Sequence, residues 1–291
     1  MNRTKILVTG KNGQVGYELS RTLAPFGELM GVDVEDCDLT DPDAIRNLIR
    51  GFEPQLIVNP AAYTAVDRAE SEPELAKAIN TTAPGIIAEE AKRLGALMIH
   101  YSTDYVFDGN SDAPYGETDA PNPTSVYGKT KLDGESAVRD SGATHLIFRL
   151  SWVYGLRGAN FLLTMQRLAR EREELNIVND QFGGPTWCRM IAEATAAVVS
   201  RHLQRPIQKS GTYHMSAAGK TSWYDFAKAI FDLSPQKHDF KLKTVNAIPT
   251  TAYPTPATRP HFSVLSNALL SDTFGVALPP WEEQLKLALE G

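Results

Sequence analysis

Tyr127 and Lys131 are the pair of residues in this chain best spaced for chemistry, because a helix running through Tyr127-Gly128-Lys129-Thr130-Lys131 puts both on one face. A cation fixed beside a phenol favours the phenolate, so Lys131 is expected to lower the Tyr127 pKa towards neutrality. Such a phenol can exchange a proton with a substrate oxygen. Upstream, Ser102-Thr103-Asp104 closes an apolar run that reads as a strand. Neighbouring strand residues face opposite ways, so one of the two hydroxyls should face a ligand at the strand end. Further upstream, Gly10, Gly13 and Gly16 follow a strand-like segment and open a helix-like one. That context lets a backbone approach a pyrophosphate, with the helix N-terminus stabilising its charge. Asp33, at the end of the second strand, stands where a ribose 2′-hydroxyl is held. Asp38-Leu39 could flank an adenine or merely cap a helix. Together these elements describe a nicotinamide-dependent carbonyl/alcohol oxidoreductase.

The elements that must position them alternate between strand and helix. Lys5 to Thr9, Leu29 to Val32, Leu56 to Val58, Ala96 to His100 and His145 to Leu150 read as buried strands, with a further short one just before Asp38. On that count Thr103 closes the fifth strand, and His145 to Leu150 is the sixth. Asp41-Pro42 starts a helix to about Arg50, and a long helical pattern covers 73–94 with a break near Pro84. Segment 108–126 is rich in Gly, Pro and Asp and reads as a long loop leading into the Tyr127 helix. The fold class is α/β: a Rossmann-type doubly wound parallel sheet with a smaller mixed α/β lobe. Residues 1–152 are expected to form the dinucleotide-binding domain, joined by later elements that interleave the boundary, and 153–291 the smaller lobe. In that lobe helices are expected near 160–172, 188–203 and 222–232, a strand near 175–179, and an extended segment at 249–260.

Bulk composition excludes other classes. The 291 residues carry 29 basic and 35 acidic side chains, a net charge of -6 without a basic tail, so nucleic acid is not an expected partner. No apolar run reaches the length of a membrane span, and Met1 to Lys5 leads into a strand and not into a signal-peptide core. The expected location is cytoplasmic. Cys37 and Cys188 show no metal spacing and are expected to be reduced thiols, and the six histidines show no ligand spacing either. Trp152 reads equally as core or as a platform for a ring beyond the sheet edge.

These motifs resemble the extended short-chain dehydrogenases/reductases and, within them, the dTDP-4-dehydrorhamnose reductase family. The resemblance rests on Gly10-Lys11-Asn12-Gly13-Gln14-Val15-Gly16, Asn59-Pro60-Ala61-Ala62-Tyr63-Thr64, Tyr101-Ser102-Thr103-Asp104, Tyr127 to Lys131, Arg149-Leu150-Ser151-Trp152, Asn179-Asp180-Gln181-Phe182-Gly183 and Ile248 to Ala257. It implies reduction of the C4 ketone of dTDP-4-dehydro-L-rhamnose by NADPH or NADH. By the same resemblance Thr103, Tyr127 and Lys131 are catalytic. Gly10, Gly13, Gln14, Val15, Gly16, Asp33, Asp38, Leu39, Ala62, Tyr63, Thr64, Tyr101, Tyr127 and Lys131 match cofactor contacts, and Thr103, Asp104 and Trp152 match substrate contacts. Some members form Mg2+-bridged dimers. Glu18 matches one of their carboxylates, but Arg189 stands where the other should be, so no metal and a monomer or weak homodimer are expected. Two rivals remain open: another nucleotide-sugar epimerase or dehydratase, and a non-catalytic cofactor-binding subunit.

Overall fold

The computed structural model describes residues 3–290, so the reading of Met1 and Asn2 lies outside the described residues. Six strands form one sheet: β1 (Thr4–Thr9), β2 (Gly27–Val32), β3 (Leu56–Asn59), β4 (Leu97–Thr103), β5 (His145–Leu150) and β6 (Gly211–His214). Their order is β6-β5-β4-β3-β1-β2, and every pairing is parallel. No strand forms just before Asp38; residues 34–41 are turns, with Asp36 N and Cys37 N donating to the Asp33 backbone carbonyl, Val34 N to Asp33 Oδ1 and Thr40 N to Asp38 Oδ1. Thr103 therefore ends the fourth strand and His145 begins the fifth. The sixth comes from beyond residue 200, where Gly211 to His214 pairs with Leu146 to Arg149.

Helices α1 (Gln14–Leu23), α2 (Pro42–Phe52), α3 (Ala83–Leu94), α4 (Val126–Asp140) and α6 (Cys188–Gln204) cover the two faces of the sheet, while α5 (Phe161–Glu171), α7 (Trp223–Leu233) and α8 (Trp281–Glu290) pack together in the later half of the chain. Successive strand residues point to opposite faces, which sorts the core into two layers. Ile6 and Val8 pack with Leu19, Leu23, Ile191 and Val198 of α1 and α6. Leu7 turns the other way and meets Ile45, Ile49 and Ile87 of α2 and α3. A third cluster joins Leu162, Ile177, Phe226, Ile230 and Leu285 in the later half of the chain. There Glu174–Val178 pairs in parallel with Thr244–Ile248.

The helical pattern at 73–94 is not broken at Pro84; instead Ala78–Thr82 forms one wide π turn before α3. Proline lacks the N–H that would continue the ladder, and a wider turn accommodates it. The turn presents Asn80, which is fully buried and takes Tyr63 N on its Oδ1 (2.8 Å) while donating to Thr130 Oγ1 (3.2 Å). Thus the irregularity docks the helix that carries Tyr127. A buried fork fixes that helix from the other side, with Arg149 Nε and Nη2 donating to the two Glu135 oxygens at 2.9 and 2.8 Å.

Candidate functional site

Between β1 and β3 the strand order reverses, and open sheets leave a crevice at the carboxyl ends there. The glycine turn fills the near side. Gly10 has φ +59°, and a Cβ at Gly16 would lie 1.9 Å from the Gly10 carbonyl oxygen, so the turn closes only with glycine at both positions. Gly13 precedes α1 without a side-chain cap, and the Gln14, Val15 and Gly16 N–H groups have no acceptor among the described residues. Three unpaired donors at a helix N-terminus suit a pyrophosphate. Across the strand ends, Thr9 Oγ1 donates to Asn59 Oδ1 (2.5 Å) and Asn59 Nδ2 meets His100 Nδ1 (3.1 Å), locking β1, β3 and β4 in register at the crevice floor.

Two cavities open from the crevice. The smaller, about 170 Å³, is bounded by Asp33, Cys37, Asp38, Leu39, Ala62 and the Gly10 turn. Its apolar walls and rim carboxylates suit an adenine and its ribose. The larger, about 510 Å³, runs past Gly13 to Gly16 and Thr64 to Tyr101, Ser102, Thr103, Asp104, Tyr127, Lys131 and Trp152. All the residues assigned from sequence to catalysis, cofactor or substrate line one or both of these cavities except Tyr63. Its hydroxyl is turned onto Glu72, outside the crevice, because Asn80 holds its backbone on both sides.

Burial decides the electrostatics of the larger cavity. The Tyr127 phenol is pushed up to about 12, because burial opposes the phenolate more than the Thr103 hydrogen bond favours it. The expected lowering by Lys131 is not found. Lys131 is 2% exposed, its Nζ donates to the Tyr101 carbonyl at 2.6 Å, and burial lowers its own pKa to about 8 against a smaller pull from Glu135. Tyr101 thus contributes a backbone oxygen; its ring points into the core and its hydroxyl meets Thr195 Oγ1 at 2.8 Å. Asp104 is also buried, and burial raises it to about 6 despite hydroxyl partners at Ser263, Ser151 and Thr103. Thr103 Oγ1 donates to Asp104 Oδ1 (3.1 Å) and accepts from Tyr105 N (3.2 Å).

Trp152 is half-buried on the wall of the larger cavity and belongs to none of the core clusters. It adopts φ 43°, unusual for a bulky side chain, and its ring stacks on Trp223 at 3.5 Å with 3° between planes. Trp223, which lines the same cavity, carried no sequence signal beyond opening a helix. Asn160 was missed too, although an Asn before a helix is a recognisable cap. It caps α5 through Leu163 N (3.0 Å) and donates to Gln14 Oε1 (2.8 Å), tying the later half of the chain to the glycine turn. At the edge of α1 and α6, Arg189 Nε lies 3.5 Å from Glu18 Oε2. Lys11, next to Gly10, is drawn onto Asp36 and leaves Asp33 to accept from Asn12 N (2.8 Å).

Comparison with known proteins agrees with this geometry. The family described as RmlD substrate binding domain matches residues 4–291. The chain is 49% identical over 289 residues to a protein of Escherichia coli K12 named dTDP-4-dehydrorhamnose reductase, covering 98% of this chain and 96% of that one. A solved dTDP-4-dehydrorhamnose reductase of Clostridium acetobutylicum superposes with a TM-score of 0.90 at 39% identity, covering 99% of both chains. Another, from Bacillus anthracis and solved in complex with NADP, gives 0.88 at 34% identity, again over 99% of both. The chain belongs to the RmlD substrate binding domain family.

Proposed function

We propose that the chain reduces the C4 ketone of dTDP-4-dehydro-L-rhamnose to dTDP-L-rhamnose with NADPH or NADH. The observation that carries this reading is the meeting of Thr103, Tyr127 and Lys131 on one wall of a cavity whose other wall is the glycine turn. The residues fit a dinucleotide: free N–H groups at the start of α1 and an apolar recess beyond Asp33. When bound, a reduced nicotinamide supplies the hydride.

The chain's own residues do the rest. Tyr127, protonated at neutral pH, donates to the carbonyl oxygen as charge develops there. The Thr103 hydroxyl turns from Asp104 to the same oxygen, and Asp104 and Trp152 orient the sugar. Lys131, fixed by the Tyr101 carbonyl, stabilises the phenolate left behind and holds the nicotinamide ribose. In this reading residues 1–152 bind the dinucleotide and 153–291 the sugar nucleotide, interleaved where β6 returns to the sheet. Among the described residues no helix is long and apolar enough to cross a membrane. The reading includes a cytoplasmic enzyme, a monomer or weak homodimer, without a nucleic-acid partner. Adding the keto sugar nucleotide to protein and NADPH tests it. Loss of nicotinamide absorbance in proportion to added ketone supports the reading, and an unchanged absorbance rejects it.

A further inference from the structure

A third cavity, about 830 Å³, adjoins the site and shares Thr64, Val66, Tyr105, Asn160 and Trp223 with it. The basic side chains lining the two are Lys131, Arg172 and Arg259. Lys131 is buried and committed to the Tyr101 carbonyl, and Arg172 is exposed at the end of α5. Arg259 remains, 24% exposed in its side chain and held from below. Its Nη1 and Nη2 donate to the two Asp67 oxygens at 3.1 and 2.8 Å, and Asp67 Oδ1 also accepts from Ala257 N (3.2 Å). The outer side of Nη1 faces Ala257 O at 3.4 Å. This end-on fork leaves the edge formed by Nε and Nη2 without an acceptor among the described residues, and that edge is the one that takes an oxyanion in bidentate fashion.

Its position matters as much as its free edge. Arg259 and Tyr105 line the same cavity, and the Tyr105 ring packs edge-on against Tyr127 with centroids 5.6 Å apart. The cation therefore lines the cavity whose Tyr105 wall backs the proton donor. A sugar whose C4 oxygen meets Tyr127 carries its C1 substituent across the pyranose ring from that point. In a sugar nucleotide this substituent is the diphosphate, and the remaining cavity lies beyond it for the nucleoside.

We infer that the Nε/Nη2 edge of Arg259, preset by Asp67, binds the diphosphate of the sugar nucleotide where the two cavities meet. The inference rests on the proposed reaction for its substrate class. It gives a role to the region of the stretch Ile248 to Ala257, which ends two residues before this arginine and which the catalytic residues leave unexplained.

The test is calorimetric titration of thymidine 5′-diphosphate and thymidine into wild type, Arg259→Gln and Arg259→Lys, with NADPH binding measured in parallel. Wild type should bind the diphosphate at least tenfold tighter than thymidine. Arg259→Gln should lose roughly 10- to 100-fold for the diphosphate alone, the size of one charge-assisted contact. Arg259→Lys should recover part of this, since an ammonium keeps the charge but not the fork. Equal loss for NADPH would make Arg259 structural and overturn the inference. So would Arg259→Gln binding the diphosphate within twofold of wild type, or a wild type that does not distinguish the two probes. Failure of the proposed reaction would instead appear as wild type leaving NADPH unoxidised with the keto sugar, whatever these titrations give.

Discussion

Replacing Lys131 by Met should remove the alkaline limit of the reaction along with most of its rate. In the free protein burial holds the Lys131 ammonium down to about 8 and the Tyr127 phenol up to about 12. Between pH 7 and 10 Tyr127 therefore keeps its proton and Lys131 is the group that titrates. Lowering the Lys131 pKa means that its charge is present below about 8 and lost as pH rises through that value, so kcat/KM should be level near pH 7 and fall above about 8. On a helix, Cβ atoms four residues apart sit about 6 Å from each other, and unit charges at that spacing interact by about 3 kcal/mol at an effective dielectric of about 20, an upper bound here because the resting phenol shows no lowering by Lys131. With the charge half developed in the transition state the gain is at most about 1.4 kcal/mol, so Lys131→Met should lose up to about tenfold in kcat/KM. Its remaining activity should show no break near pH 8. Stopped assays in overlapping buffers from pH 6.5 to 10, with cofactor saturating, resolve both effects. A break near 8 that persists in Lys131→Met would assign the titration to another group and refute the reasoning.

Tyr127→Phe should bind the cofactor normally and lose about 10²- to 10⁴-fold in turnover, since it removes the proton donor and leaves the ring packed on Tyr105; steady-state rates and cofactor fluorescence check this. Asp36→Ala should free Lys11 from its ion pair and shift the kcat/KM ratio towards NADPH, whose 2′-phosphate a released cation beside Asp33 attracts; a ratio unchanged from wild type would place Lys11 outside the pocket. Incubation with excess EDTA should leave turnover and sedimentation unchanged, because Arg189 faces Glu18 where a second carboxylate would be needed for a metal; loss of activity restored by Mg2+ would contradict it.

Much of the site was legible because its signals are local. The Gly10, Gly13 and Gly16 spacing, Asp33 at a strand end and the Tyr127/Lys131 spacing each need only a few neighbouring residues to be read. What was hidden depends on contacts distant in sequence. β6 reaches the sheet from residue 211, and nothing in Gly211 to His214 distinguishes it from the short strands of the smaller lobe. Tyr63 is diverted by Asn80, whose place depends on a π turn set by Pro84. The Tyr127 pKa moved opposite to the expectation because the sequence gives spacing but not burial, and here burial outweighs the cation. Trp223 and Arg259 enter the site only through the packing of the later half of the chain.

The central claim, hydride delivery to a sugar-nucleotide C4 ketone, is tested most directly with NADPH carrying deuterium at the transferring position of C4. Wild type is incubated with dTDP-4-dehydro-L-rhamnose and the product analysed by NMR and mass spectrometry. The account predicts one deuterium per product molecule, located at C4 of the sugar, with one NADP+ formed for each. A sugar nucleotide converted without deuterium at C4 and without net oxidation of the added cofactor, as an epimerase or dehydratase would leave it, contradicts the account.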